Sequence, residues 1–289
     1  MDFNPPPRTL SNYRGRIAPT PTGYLHLGHF STFRAAWMRS RFAAGTLVFR
    51  NEDIDAQRCR PEFAAAAIED LRWAGLEWEE GPDVGGPNAP YEQSARLADH
   101  RAAFETLRER GLVFPCACSR RDVELAATAP HAEDAEPVYA GTCREHRAPA
   151  NGAPVSWRFR VPDGEVVAFN DRKLGPKSYT AGRDFGDFVV WRRDDAPAYE
   201  LAVVVDDAAM RITEVVRGED LLLSTTRQIL LHRALGFSAP DFFHCPLLRD
   251  EHGRRLAKRH DALSLRELRA RGVTPEELPA MIHRAAGNS

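Results

Sequence analysis

Residues 16–29 read "RIAPTPTGYLHLGH", and His26, Gly28 and His29 stand where a Pro/Gly turn passes into a helical pattern. The start of a helix carries unpaired N–H groups and about half a positive charge, so it suits a phosphate. Gly28 has no Cβ and would let a flat base or ribose approach the backbone. Imidazoles beside it can donate hydrogen bonds to oxygens that gain charge as a phosphoryl bond breaks. Two other readings compete. One is a zinc site, for which no H-E-x-x-H pattern or third ligand is evident; the other is a helix cap without chemistry. A second cationic cluster, "GRRLAKRHDAL" at 253–263, follows the turn-like "RDEHG". It would fold over a triphosphate, or serve as a solvated loop.

These residues need a frame. "RIAPTP" reads as a strand, and "LGHFSTFRAAWMRSRFAAG" as a helix with apolar residues at three and four spacings (Phe30, Phe33, Trp37, Met38, Phe42), closed by Gly45. "TLVFRNEDID" is a second strand, so the unit is βαβ with a parallel sheet. "RPEFAAAAIEDLRWAGLEW" and "SARLADHRAAFETLRERG" are amphipathic helices. Residues 119–154 are rich in Ala, Pro, Gly and acids and read as an insert outside the sheet. Short strands follow ("VSWRFRV", "EVVAFND", "DFVVWRR"), and "YELAVVVDDAAMRITEVVRGEDLL" reads as two paired strands around "DDAAM". "STTRQILLHRALG" is a helix closed by Gly236.

The chain has 289 residues, 43% hydrophobic and 28% charged, as a soluble globular protein would. No run approaches a membrane span and the N-terminus has no secretory character, so a cytoplasmic protein is expected. A net charge of −2 argues against a uniformly basic nucleic-acid binder, though not against a basic face. From residue 254 onward the cations outnumber the acids, a candidate for RNA phosphate contacts.

Five cysteines in such a protein do not suggest disulfides. Cys59 and Cys245 read as buried small residues. Cys116-x-Cys118, followed after 24 residues by Cys143, offers three soft ligands where zinc wants four. By ligand chemistry alone His146 would be the fourth, and three buried thiols without metal is the competing reading. A metal here would be structural, pinning an insert with little core of its own.

Together these motifs resemble the class I aminoacyl-tRNA synthetases. "APTPTGYLHLGH" is similar to their first signature and "RRLAK" stands in the place of the second. "FRNEDID" and "YELAVVVDDAAMRITEVVRGEDLL" resemble the glutamyl branch, and the likeness runs from about Gly15 to Leu263. Only 30 residues follow Arg259, too few for a helical anticodon-binding region. With the cysteine insert, the pattern is similar to the glutamyl-queuosine tRNA(Asp) synthetases.

The resemblance implies an α/β, Rossmann-type parallel-sheet catalytic domain with a zinc-binding insert, a short helical C-terminal part and no anticodon-binding domain. The implied segments are 1–115, the first half of the catalytic domain; 116–154, the insert; 155–252, an acceptor-type insert with the second half; and 253–289, the second-signature loop and short helices. The implied chemistry is ATP-dependent activation of L-glutamate without tRNA, then transfer of the glutamyl group to queuosine in the anticodon of tRNA(Asp). His26, Gly28, His29, Arg255 and Lys258 would bind ATP, with His26, His29 and Lys258 acting in catalysis. Arg16, Ala18, Glu52, Tyr199 and Arg217 would line the glutamate site, and an Arg16–Glu52 salt bridge between strands is the structural alternative. Zn²⁺ would sit on Cys116, Cys118, Tyr139 and Cys143, Tyr139 replacing His146 because "YAGTC" matches the family's Tyr-x-x-x-Cys. Mg²⁺ would arrive with ATP. A monomer is expected, with no membrane partner.

The sequence also departs from the family. Arg255 replaces a lysine of the second signature, Ala257 and Arg259 replace its serines, and Glu200 stands where relatives commonly have Asn. If Tyr199 lies on a strand and points inward, Glu200 points away. Asp53/Asp55 and Asp206/Asp207 read as strand-end and turn residues, not as metal ligands. A glutamyl-tRNA synthetase core charging the tRNA 3′ end, or a non-catalytic tRNA-binding relative, are the alternatives.

Overall fold

The computed structural model describes residues 12–119, 121–122, 138–145, 153–248 and 264–285. The chain opens with strand β1 (Arg14–Ile17), helix α1 (Leu27–Phe42) and strand β2 (Thr46–Phe49). β1 and β2 pair in parallel, from Arg14 opposite Thr46 to Ile17 opposite Phe49, so the expected βαβ unit is present. The expected stop at Gly45 works differently. The left-handed residue is Ala44, at φ 48°, and the Gly45 amide then closes on the Ser40 carbonyl at 2.9 Å. Gly45 is needed for space, because a Cβ there would lie 2.5 Å from the Tyr13 carbonyl oxygen.

α2 (Pro61–Trp73) and α3 (Leu97–Glu109) follow, then β3 (Val113–Cys116), β4 (Ser156–Phe159) and β7 (Phe188–Trp191), which form an antiparallel sheet in the order β3-β4-β7. β5 (Val166–Asp171) and β6 (Gly175–Thr180) are antiparallel neighbours. β5 also meets β9 (Asp241–Cys245) in parallel, and β9 runs parallel to β8 (Glu214–Gly218). β1 is tied to the segment entering β8, since the Thr213 amide donates to the Arg14 carbonyl at 2.9 Å.

"YELAVVVDDAA" is not a strand. It forms helix α4 (Tyr199–Ala209), in which Glu200 through Asp207 are all buried. The misreading has a physical cause. Alternation and 3.6-residue periodicity both need an exposed face, and this helix has almost none. Burial of Leu201, Val203, Val204 and Val205 outweighs the few tenths of a kcal/mol per residue by which β-branched side chains disfavour a helix. Asp206 and Asp207 are therefore core residues, not turn residues. Asp206 accepts from Gln93, Arg96 and His100, and Asp207 from Arg50.

α5 (Leu222–Leu235) ends as expected on left-handed Gly236, at φ 76°. Two short helices, α6 (Leu265–Ala270) and α7 (Leu278–Ala285), pack Leu265, Leu268, Leu278 and Ile282 into the same core as Leu25, Phe30 and Leu47. The Leu265 amide donates to the Leu25 carbonyl at 2.7 Å, which clamps the segment just before α1. Part of the basic C-terminal stretch serves this packing, because Arg266 and Arg269 both pair with Glu69 on α2. Among the described residues no helix is long and apolar enough to cross a membrane.

Candidate active site

A cleft of about 440 Å³ opens between the α1 N-terminus, the loop after β1, the α4 N-terminus and the ends of β8 and β9. It brings together Arg16, Ala18, His26, Gly28, His29, Glu52, Tyr199 and Arg217. Arg255 and Lys258, with the altered positions Ala257 and Arg259, lie outside the described residues, as does His146.

At the helix end the two histidines cap each other. His26 Nδ1 accepts the Gly28 amide at 3.0 Å, and His29 Nδ1 accepts the His26 amide at 3.3 Å. A neutral imidazole that accepts at Nδ1 carries its proton at Nε2. Each ring is thereby set as an Nε2–H donor, the form that suits phosphate oxygens and not a metal. Desolvation lowers the pKa of both rings, and for His29 the charge of His26 adds to it. His29 keeps solvent-exposed surface, so its cation is disfavoured without being excluded. Gly28 has a use the sequence did not suggest: a Cβ there would sit 2.8 Å from His26 Cε1, so glycine is what allows the His26 ring to fold over the helix end.

The other half of the cleft is built on buried charge. Arg16 Nη1 donates to the Val216 carbonyl at 3.0 Å and Nε lies 3.5 Å from Asp207 Oδ1. Glu52 pairs with Arg50 at 3.0 Å. The Arg16–Glu52 bridge is therefore replaced by two other pairs, Arg16–Asp207 and Arg50–Glu52. Arg50, fully buried, joins Glu52 to Asp207. Desolvation raises the Glu52 pKa despite Arg50 and Arg16, so an approaching cation would stabilise its charged form. Tyr199 keeps 39% of its surface exposed, while the protein around it pushes its phenol up, making it a neutral donor. Ala18 lines the cleft just past β1.

Arg217 differs from the other buried arginines here. It is 4% exposed, and its partners are His244, Gln228 and Thr225, with no carboxylate ion pair among the described residues. Glu200 lies outside the cleft lining, as expected, but for a helical reason: successive residues on α4 point about 100° apart. Its carboxylate accepts from Gln228 at 2.9 Å. Sequence reasoning missed Arg50, Asp207, His244 and Gln228; "FRNE" held a signal for Arg50, a charge inside an apolar strand ending.

Asp53 and Asp55 take the turn roles expected. Asp53 accepts the Ser94 amide at 2.9 Å and hydroxyl at 2.6 Å, and Asp55 accepts the Gln57 amide at 3.2 Å.

Apart from the cleft, the sulfur atoms of Cys116, Cys118 and Cys143 lie within 4.8 Å of one another. Tyr139 Oη is 3.4 Å from Cys116 Sγ and 3.8 Å from Cys118 Sγ, and accepts the Cys143 amide at 2.8 Å. Tetrahedral zinc with ordinary bond lengths would need S···S of about 3.8 Å and O···S of about 3.5 Å. Three sulfurs and this oxygen fit such a group. Arg158 Nε donates to Cys116 Sγ at 3.2 Å, which would offset thiolate charge. Cys245 is buried as expected, whereas Cys59 is only half-buried.

The chain matches the family model for tRNA synthetases class I (E and Q), catalytic domain, over residues 12–287, and it belongs to that family. Within it, the chain is 52% identical over 269 residues to the glutamyl-Q tRNA(Asp) synthetase of Symbiobacterium thermophilum, covering 91% of this chain and 83% of the relative. It is 46% identical over 280 residues to the glutamyl-Q tRNA(Asp) synthetase of Nitratidesulfovibrio vulgaris, covering 95% and 86%. A solved glutamate tRNA ligase from Elizabethkingia meningosepticum, in complex with its amino acid, superposes with a TM-score of 0.73 at 28% identity. That match covers 90% of this chain and 53% of the ligase.

Proposed function

We propose that this protein activates L-glutamate with ATP and transfers the glutamyl group to queuosine in the anticodon of tRNA(Asp). The observation that carries the reading is Arg217: a buried guanidinium with no carboxylate partner among the described residues, in a cleft it shares with Glu52 and the α1 N-terminus. Buried charges are normally paired, so a substrate carboxylate is the natural completion. Glu52 would hold the ammonium, and Arg16 and Tyr199 would complete the pocket. The similarity to two glutamyl-Q tRNA(Asp) synthetases over most of their length supports the choice of acceptor.

The glutamate α-carboxylate would attack the ATP α-phosphorus, forming glutamyl-adenylate and releasing pyrophosphate. The protein's work is positioning and charge stabilisation. The His26 and His29 Nε2–H groups would donate to phosphate oxygens, and Arg255 and Lys258 would follow the pyrophosphate. Mg²⁺ bound with ATP would supply further charge neutralisation. In the second step a queuosine hydroxyl would attack the acyl carbon, displacing AMP. We read the Cys116, Cys118, Tyr139 and Cys143 group as a structural zinc site and the protein as a cytoplasmic monomer.

The test has two parts. Glutamate-dependent ATP–pyrophosphate exchange should occur without tRNA. Glutamate should then be accepted by tRNA(Asp) from cells that make queuosine and refused by tRNA(Asp) from cells that lack it. Absence of exchange in folded, zinc-replete protein defeats the first step, and equal acceptance by both tRNAs defeats the second.

A further inference from the structure

Arg217 is held by three acceptors. Nε donates to His244 Nε2 at 3.2 Å, Nη1 to Gln228 Oε1 at 2.8 Å, and Nη2 to Thr225 Oγ1 at 2.6 Å. All of these residues are buried. A guanidinium has five N–H groups, so with three used here two remain for a ligand in the cleft. Which two remain depends on the acceptors keeping their lone pairs toward Arg217.

Neither His244 nor Gln228 guarantees that by itself. A neutral imidazole can carry its proton on either nitrogen, and an amide can present oxygen or NH₂. Each choice is made from the far side by a carboxylate. Asp171 Oδ2 lies 2.6 Å from His244 Nδ1, so the proton belongs on Nδ1 and Nε2 stays an acceptor. Asp171 is fixed in turn by the amides of Lys173 and Leu174 at 2.9 and 2.7 Å. On the other side, Gln228 Nε2 donates to Glu200 Oε2 at 2.9 Å, which turns Gln228 Oε1 toward Arg217. Asp171 ends β5, His244 is on β9 and Arg217 on β8, so the relay crosses three adjacent strands. None of Asp171, His244, Gln228 and Glu200 lines the cleft.

We infer that Asp171–His244 and Glu200–Gln228 are two positioning relays that aim the Arg217 fork at the substrate carboxylate, an inference that rests on reading the cleft as a glutamate site. Both carboxylates orient neutral acceptors and neither forms an ion pair with Arg217. The cation is thus held in place while its ion-pairing capacity is left for the substrate. The relay also gives Glu200 a use that does not repel glutamate.

The test is steady-state ATP–pyrophosphate exchange with His244→Leu, His244→Gln, Asp171→Asn and Glu200→Gln, together with NMR of the His244 tautomer. His244→Leu should raise the glutamate KM by about tenfold to a hundredfold while the ATP KM stays within about twofold, because only carboxylate binding is lost. His244→Gln, whose carbonyl can accept from Arg217, should recover most of it. Asp171→Asn offers an NH₂ to His244 Nδ1 and should move the ring proton to Nε2. Unchanged glutamate KM, or ATP KM rising in step with it, overturns the inference. The tautomer keeps the question open to decision if His244→Leu does not fold: a wild-type ring protonated at Nε2 overturns the relay. Loss of wild-type exchange would instead count against the glutamate reading, with the tautomer result standing on its own.

Discussion

The imidazoles of His26 and His29 stack with centroids 3.8 Å apart and planes 28° from parallel, each accepting a backbone amide through Nδ1. Capping occupies the Nδ1 edge of each ring, and the proposed phosphate binding would use the opposite, Nε2 edge. Asn can imitate the Nδ1 edge and cannot reach with the Nε2 edge. His26→Asn and His29→Asn should therefore fold normally yet lose about 10²–10³ in kcat for pyrophosphate exchange, the usual cost of one missing donor to developing charge. His26→Ala should lose, in addition, about 1 kcal/mol of stability with its cap. Asn variants that turn over at the wild-type rate would refute this division of labour.

The same geometry sets a pH dependence. The folded-state pKa of both rings is lowered, so between those values and the free imidazole value of about 6.5 the unfolded chain binds more protons than the folded one. Their contribution to stability is complete above about pH 6.5 and declines as pH falls through that window. Buried carboxylates with raised pKa, such as Glu52, act in the opposite sense at lower pH, so the comparison must be differential. Urea unfolding at about pH 7.5 and about pH 5.5 should show a larger loss for wild type than for His29→Asn. Equal losses would mean that His29 titrates normally.

Arg217 and Glu52 offer the sharpest test of the amino-acid half of the cleft. Arg217→Gln removes the guanidinium, and Arg217→Lys keeps the charge without the fork. Losing one partner of a buried, hydrogen-bonded charge pair costs about 2–4 kcal/mol, or roughly 30- to 1000-fold in kcat/KM for glutamate. Arg217→Lys should recover only a small part, and Glu52→Gln should fall in the same range through the lost ammonium contact. ATP affinity should be nearly unchanged in all three. A glutamate KM near wild type in Arg217→Gln would assign this cation to the fold.

What was legible in the sequence was local. The βαβ unit could be read because β1, α1 and β2 each carry their own periodicity, and His26, Gly28 and His29 came with it. α4 was read as a strand because the unbroken burial of Glu200 through Asp207 erases the periodicity that distinguishes a helix. β3, β6 and β9 went unseen: Pro115 interrupts the first, the second begins Gly-Pro-Lys, and the third is only five residues long. The environment of Arg217 was out of reach for another reason. Asp171 and His244 are 73 residues apart, and no spacing rule connects them before β5 and β9 meet. Glu200 was rightly turned away from the cleft on the wrong geometry, because both strand and helix separate neighbouring side chains.

The cysteine group predicts one metal ion per chain, most readily measured as zinc by elemental analysis. Cys143→Ser should lose it, and a chelator should lower the unfolding temperature, because a metal at about 1000 times its Kd contributes about 4 kcal/mol. Tyr139 Oη already sits among the sulfurs, so Tyr139→Phe should weaken zinc binding at least about tenfold, with His146→Ala close to wild type. The reverse ranking would make His146 the fourth ligand.

The two halves of the cleft are joined through the core by Glu214. Arg39 on α1 donates to both of its oxygens at 2.6 Å, and Tyr13 adds a third contact at 2.8 Å. Arg39 is 1% exposed and Glu214 is 2% exposed, so neither charge has solvent to fall back on. Burial and then Glu214 hold the Tyr13 phenol well above its ordinary range, which keeps it a donor. Glu214→Gln removes the anion of a buried, doubly hydrogen-bonded ion pair, a change that costs about 3–5 kcal/mol. For a chain of this size that is roughly 6–20 °C in Tm. Replacing both charges, as Arg39→Met with Glu214→Leu, should cost less than the single change, because both members of the buried ion pair are then removed together. Glu214 lies three residues before Arg217 on β8, and Arg39 lies on the helix that His26 caps. The pair thus ties the α1 side of the cleft to its β8 side. If Glu214→Gln unfolds within about 2 °C of wild type, this link between the halves is not what holds them together.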